Sequence, residues 1–431
     1  LVVSFMKKTT EKILRDIFSV ESKLHKIQDF DILLELILTE ARLTVNADAG
    51  SIYVVDGDYL AIKYAQNDTL KKKLKPGEKL PFVSFRFPIN DNTIAGYVAN
   101  NDTIVNEANV YNISAEKKYK FGVSSDIKTG YKTVSSLTLP LVSPKEKVLG
   151  VLQVLNAKDK HGNIKTFSKH DEMYLKHFAT NAAEALEHAA LTRSIIMRMV
   201  RMSELRDPSE TGVHIKRVSS YAVEIYDRWA FNKKISDDEQ IKFRDDLKIA
   251  ALLHDVGKVA IPDKILKKPG RLETDEYENM KTHTWLGAQL FSPHENDFDK
   301  FVSETILRHH ERWDGLGYPG KINIKDGTPL VVASDTGKPE GLRGEEIPLA
   351  ARIIALADVY DALSCRRCYK EPWSEDDIIA ELKQCRGKNF DPEILDAFFE
   401  IYPRIVKIRE SYNEDLQDSA TKLENETSEE K

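Results

Sequence analysis

RHHERWDGLGYPG, residues 308–320, sets His309 beside His310 and follows them within ten residues with three glycines and a proline. Neighbouring side chains on an α-helix point about 100° apart, so one helical face cannot present both rings. Both histidines can serve one cleft only if they sit at a helix end. The other reading is a surface helix end followed by a turn, and the rest of the chain has to decide between them.

The surrounding sequence supplies matching residues. LLHDVGK (252–258) ends an apolar run on His254 and Asp255, followed by Lys258; MKTHTWLG (280–287) carries His283; IIALADVYDALS (353–364) carries Asp358 and Asp361. Upstream, Glu210 and His214 in RDPSETGVHIKRV (206–218) stand at i and i+4, one face of a helical turn. Five of the eleven histidines lie in or beside apolar helical runs. An unpaired ionisable group buried there would be costly. Imidazoles and carboxylates in that number are best explained as ligands of divalent metal, with carboxylates able to bridge two ions.

HDVGK followed by HHERWDGLGYP resembles the HD-GYP family, a branch of the HD metal-dependent phosphohydrolases, over about residues 200 to 405. The resemblance implies metal ligation by His214, His254, Asp255, His283, His309, His310 and Asp358, with the glycine-rich loop shaping a substrate pocket. Glu210 resembles the mark of the subset that holds three metals; members without it resemble binuclear sites. An acidic residue in a first helical turn is the competing reading.

The implied substrate is cyclic di-GMP, hydrolysed to pGpG and, at a three-metal site, on to GMP by attack of a metal-bridging hydroxide. The implied metals are two or three divalent ions, iron first and manganese second. Asp255 would bridge them, and Lys258 would either reach a phosphate oxygen or pair with a ligand carboxylate. Tyr318 of the glycine loop is implied to lie against the substrate, with Arg367 and Lys370 of SCRRCYK (364–370) as its basic contacts. Asp361 is expected to orient a ligand from behind.

Two departures from the family stand out. Cys368 occupies a position usually held by proline, and an insertion around 322–344 separates the glycine loop from Asp358 by more than is usual. A connection that long inside a compact domain points to a functional flap or to a disordered insertion. A receptor that has lost turnover, or a hydrolase of another cyclic dinucleotide, are the rival functions. No proposed ligand is missing, which argues against the first.

The front of the chain reads differently. Residues 8 to about 46 keep apolar residues at three- and four-residue steps, a helical pattern. AGSIYVVDGDYLAIKYAQ (49–66) alternates around DGD as a hairpin, and two further strands flank SPKEK (143–147). AGSIYVV, IAGYVANND, LTLPLV and VLGVLQVLNAKD resemble a GAF domain, a sensor module. The expected fold is an α+β GAF domain with a central antiparallel sheet, joined by a long helix to an all-α HD-type metallohydrolase domain. The expected divisions are an N-terminal helix over 1–27, a GAF domain over 28–168, a connecting helix over 169–203, the HD-GYP domain over 204–409 and a disordered acidic tail over 410–431. Asn156, Lys158, Phe167, Asp171 and Glu172 loosely echo cyclic-nucleotide-binding GAF domains, although ordinary GAF domains carry similar residues; a dimerising sensor with an unknown or absent ligand is the preferred reading. The absence of cysteine from this region rules out a thioether-linked bilin.

Residues 167–205 contain no glycine or proline, and Leu175, Phe178, Ala182, Ala185, Ala189, Thr192, Ile196 and Met199 step by three and four. That is a heptad seam. It predicts a parallel homodimer through the GAF domain and the connecting helix, whose small residues let helices approach closely; a helix buried in the core of one domain is the alternative. A shift of this helix, which runs into Glu210 and His214, would tighten or loosen the metal site.

Composition agrees with two or three soluble domains: 431 residues, 41% hydrophobic and 31% charged. A net charge of -6 lacks the basic footprint of a nucleic-acid polymer binder. No apolar run is long enough to span a bilayer. LVVSFMKK places lysines after the apolar residues, the reverse of a secretory signal, with Met6 as an alternative first residue. Three cysteines allow no disulfide framework, so the cytoplasm is the expected compartment. The Cys365–Cys368 CxxC has no second pair, which makes it an unremarkable spacing and not a metal motif.

Overall fold

The computed structural model describes residues 22–75, 85–206, 212–334, 337–365 and 372–412, in two units that divide between Arg193 and Ser194. Residues 1–21 of the expected N-terminal helix, Glu210, Arg367, Lys370, Cys368 and residues 413–431 of the expected tail lie outside the described residues.

In the first unit, helix α1 (Phe30–Thr44) begins where Asp29 accepts from the amides of Asp31 and Ile32, an N-cap that sets the start. Its buried face, including Leu33, Leu34, Ile37 and Leu38, lies on strand β1 (Ala47–Asp56). Gly50 lets the two approach closely, because a Cβ there would stand 2.8 Å from the Gln153 carbonyl and 2.9 Å from Leu38. Strands β2 (Tyr59–Asn67), β3 (Arg86–Pro88), β4 (Val105–Glu107), β5 (Ser136–Val142), β6 (Val148–Lys158) and β7 (Ile164–Lys165) complete a seven-stranded sheet of order β3-β2-β1-β6-β5-β4, with β7 beside β6. Every ladder between these strands is antiparallel. Helix α2 (Ile94–Asn101) contributes Ile94, Ala95 and Val98 to a second apolar cluster with Tyr53, Leu60 and Val151. The hairpin around Gly57 and the strand pair flanking 143–147 follow the sequence reading.

The residues that echo a nucleotide-binding motif are engaged in holding this unit together. Asn156 accepts from the amides of Val134 and Ser135 and donates to Tyr131 Oη and the Lys132 carbonyl. Lys158 pairs with buried Asp48, Phe167 is buried, Asp171 accepts from the amide and hydroxyl of Ser168, and Glu172 accepts from Asn106.

Helix α3 (Lys169–Arg206) crosses the division between the units. Its heptad seam is spent within its own chain: Leu175, Phe178, Ala182, Ala185, Ala189 and Ile196 are all buried in the single chain. This is the alternative of a core-facing helix for those positions. Glu187 and Arg193 tie the helix to Lys145 and Asp31.

The second unit is helical, as expected: α4 (Gly212–Lys233), α5 (Asp237–Leu253), α6 (Thr274–Lys281), α7 (His283–Gln289), α8 (Asp297–Arg308), α9 (Leu349–Ser364), α10 (Glu375–Gln384) and α11 (Pro392–Glu400). Apolar residues at helical spacing, Val218, Tyr221 and Ile225 on α4 and Ile353, Ala357 and Tyr360 on α9, face one core with Ile306 of α8 and Phe398 of α11. Tyr360 packs edge-on against both Tyr221 and Phe398. The insertion over 322–344 is irregular, and its described residues are tied down. Isolated bridges join Ile322 to Pro329 and Val332 to Pro339. Gln289 donates to the carbonyls of Ile324 and Lys325, and Lys338 pairs with Glu278.

Candidate metal centre

Five segments of the second unit converge. His214 lies in the first turn of α4; His254 caps α5, with Asp255 next; His283 opens α7; His309 caps α8, with His310 next; Asp358 and Asp361 project from α9. The question raised by His309 and His310 is answered at the end of α8, where the chain turns and the two rings lie 4.1 Å apart. Once the helix stops, both can face one cleft.

The donor atoms fall into two groups. Asp255, His283, His309 and His310 form one, and His214, His254 and Asp358 the other, with all ligand atoms of each group within 4.8 Å of one another. Asp255 stands between them: its Oδ2 is 3.0 Å from His254 Nε2, and its Oδ1 is 3.2 Å from His283 Nε2 and 3.6 Å from His309 Nε2. His214 Nε2 and Asp358 Oδ1 are 3.4 Å apart. His254, His283 and His309 are at most 1% exposed.

The outward edges of the rings decide their tautomers. His254, His283 and His309 each donate Nδ1–H to the carbonyl three residues earlier, at Ala251, Met280 and Ile306, over 2.7–2.8 Å. A carbonyl can only accept, so Nδ1 carries a proton in all three, and it is Nε2 that each ring turns inward. Nε2 of His283 and Nε2 of His309 then face each other at 3.5 Å. Burial lowers the pKa of His309, and burial together with neighbouring His309 and His283 lowers that of His310, which keeps these rings neutral. Burial works against the charge of Asp255, yet the Lys258 ammonium beside it outweighs burial and holds the carboxyl well below the usual range. Neutral imidazole lone pairs and an ionised carboxylate aimed at a common space are the donor set of a divalent cation, so the residues present fit such a group.

Support comes from behind the donors. Asp361 accepts from His214 Nδ1 at 2.7 Å and takes a two-pronged contact from Arg217 at 2.7 and 2.8 Å, which fixes the His214 ring from behind. Lys258 Nζ is 3.0 Å from Asp255 Oδ2, the carboxylate-pairing alternative of the sequence reading. Tyr318 stacks on His310 with centroids 4.7 Å apart at 28°, so the glycine loop borders the first donor group.

Three contributors escaped the sequence reading. Arg217 lies three residues after His214 on the same helical face, a spacing that could have pointed to it. Glu311, beside the histidine doublet, is buried and accepts from the amides of Gly320 and Leu342. One carboxylate thus pins both ends of the insertion, which leaves the glycine loop in place. Gly257 brings the 3-10 helix Val256–Ala260 against α7: a Cβ there would stand 1.9 Å from the His283 carbonyl.

Residues 211–363 match the model of the HD domain, residues 333–394 match a second HD domain model, and residues 29–186 match that of the GAF domain. A probable cyclic di-GMP phosphodiesterase of Vibrio cholerae is 39% identical over 52% of this chain and 49% of its own length. The cyclic di-GMP phosphodiesterase response regulator RpfG of Xanthomonas campestris is 39% identical over 48% of this chain and 47% of its own length. A 3'3'-cGAMP-specific phosphodiesterase 2 of Vibrio cholerae is 34% identical over 51% and 37%. The chain spans about half the length, or less, of these curated relatives. Among solved structures, the GAF domain of an Acinetobacter phosphoenolpyruvate-protein phosphotransferase is similar over 42% of this chain and 98% of that one, at 19% identity and a TM-score of 0.32.

Proposed function

We propose that this chain, a GAF domain followed by an HD domain, is a metal-dependent phosphodiesterase that opens cyclic di-GMP to pGpG and carries it on to GMP. The observation that carries the reading is Asp255, with one oxygen toward each of two groups of inward-facing donors. His283, His309 and His310 would hold one ion, His214, His254 and Asp358 the other, and Asp255 both. Glu210 is the proposed additional ligand of a third. Iron is the favoured metal and manganese the next, since mixed imidazole and carboxylate donors suit both. When bound, such ions activate water near neutral pH and neutralise charge on a phosphodiester.

The chain's own residues do the rest. Lys258 keeps the Asp255 carboxylate ionised and aimed. Asp361 holds His214 in the tautomer whose Nε2 can bind metal. Tyr318, stacked on His310, offers a wall for a guanine or ribose, and Arg367 and Lys370 are the proposed phosphate or guanine contacts. The GAF domain is the proposed regulator, and the reducing cytoplasm, in keeping with three cysteines in the chain, the proposed compartment. Among the described residues no helix is long and apolar enough to cross a membrane. The proposed oligomer is a parallel homodimer along α3, and protein partners in cyclic di-GMP signalling are further proposed contacts.

A second substrate, 3'3'-cGAMP, is favoured by the relative bearing that name at 34% identity. One experiment separates the readings: anaerobic purification with metal analysis, then incubation with each cyclic dinucleotide and chromatography of the products. About two or three ions per chain, with cyclic di-GMP consumed first and pGpG passing to GMP, is the expected result. Preferential loss of 3'3'-cGAMP selects the second reading, and bound metal with neither substrate cleaved makes the chain a receptor.

A further inference from the structure

We propose that Arg206 is a positioning residue of the metal centre: it ties the end of the connecting helix to the backbone that follows Asp255. The inference rests on the reading of Asp255 as a metal ligand and adds to it the element that sets where that ligand stands.

Arg206 is the last residue of α3. Its Nη1 donates to the Val259 carbonyl at 2.6 Å, and its Nη2 to the Ile261 carbonyl at 3.0 Å and to Asp263 Oδ1 at 2.7 Å. The two carbonyls lie at the close of the 3-10 helix Val256–Ala260, where carbonyls have run out of partners within the helix. A planar guanidinium reaches several of them at once, whereas an ammonium is a point donor.

That short helix begins immediately after Asp255 and carries Lys258. It has little slack of its own. The Lys258 amide donates to the Asp255 carbonyl and the Ile261 amide to the Lys258 carbonyl, both at 3.0 Å. On its far side Gly257 lies against the backbone of His283 and Gly287, where a Cβ would meet atoms at 1.9 and 2.5 Å. A pull on Val259 and Ile261 therefore reaches Asp255 and is not absorbed between them. The same helix touches the segment from the other direction. Ser203 and Val200, about one and two turns before Arg206, line a crevice with Leu253, Asp255 and Val256. The end of α3 thus borders Asp255 on one side and holds the chain beyond it on the other. A displacement of the helix end changes the affinity of the centre for metal ahead of any contact with substrate.

The test uses the full chain, anaerobic and stripped of metal, as parent, Arg206→Gln and Arg206→Lys. Mn²⁺ affinity is measured by competition with a chelator, and hydrogen exchange is followed over residues 254–266. Arg206→Gln is expected to bind Mn²⁺ about tenfold more weakly, the scale of lost outer-layer support, with faster exchange across the segment; Arg206→Lys should fall between the two. Asp263→Ala removes one of the three acceptors and serves if Arg206→Gln does not fold; a weakening of about twofold is expected there. Parental affinity and parental exchange in the glutamine variant, even with a lower melting temperature, would reduce Arg206 to a stabilising contact and overturn the proposal. A parent that binds no Mn²⁺ overturns the reading of Asp255 instead, and the exchange comparison still decides whether Arg206 holds the segment.

Discussion

Asp361 accepts from His214 and Arg217 at once while only 2% exposed. Burial opposes its charge, but the hydrogen bonds from Arg217 and His214 bring its pKa down to about 2. In Asp361→Asn the shape survives and the charge does not. Metal affinity should fall about 10- to 100-fold as His214 loses its orientation. Stability should fall by about 3 kcal/mol, because Arg217 is left buried without its counter-charge. Chelator competition and a denaturant titration measure the two effects, and unchanged affinity would remove Asp361 from the centre. Asp246 titrates in the opposite sense. Burial pushes its carboxyl up to about 6, with Lys242 opposing and Asp297 adding to the rise. The folded state therefore holds this proton more tightly than the unfolded chain, so the associated stability is complete below about pH 4 and is lost as pH rises through 6. In the metal-free protein, Asp246→Asn should gain on the order of 2 kcal/mol over the parent at pH 7 and nothing at pH 4. Urea titrations at the two pH values would contradict this if the gain were equal at both.

Gly257 shows what an element can demand of one residue. The 3-10 helix after Asp255 crosses α7 so closely that both obstacles to a side chain, the His283 carbonyl and the Gly287 amide, are backbone. Gly257→Ala must separate the two elements and with them Asp255 from His283. A loss of about 2–4 kcal/mol is expected, together with weaker metal uptake, whereas Gly122→Ala, with nothing within 4 Å, should be neutral within about 0.5 kcal/mol. Equal midpoints for the two variants would refute the close crossing. Helix α3 carries the complementary lesson. Leu175, Phe178, Ala182, Ala185 and Ala189 keep heptad spacing and are buried in their own chain. A coiled-coil seam and a core-facing stripe use the same three- and four-residue steps, so periodicity alone could not separate them.

At the scale of the whole molecule, α3 presents a second stripe to solvent: Leu191, Ile195, Met202 and Leu205 are 57–81% exposed. With Arg198 between Ile195 and Met202, these positions step by four and three, so the pairing surface proposed for a second copy lies here. Light scattering should give a dimer for the full chain and a monomer for Ile195→Glu combined with Leu205→Glu, with unchanged melting of each unit because neither side chain is in a core. A monomeric parent would end the proposal. The sequence by itself determined the order of modules, the antiparallel front and helical rear, and which histidines and carboxylates belong together, because period, turn chemistry and clustered ionisable residues in apolar runs are local signals. Only the tertiary structure decided that the seam of α3 faces inward, that Asp361 serves His214 together with Arg217, and that Glu311 pins both ends of the insertion. Those outcomes depend on which surfaces meet across distant segments, and one-dimensional spacing holds no record of the partner a face will find.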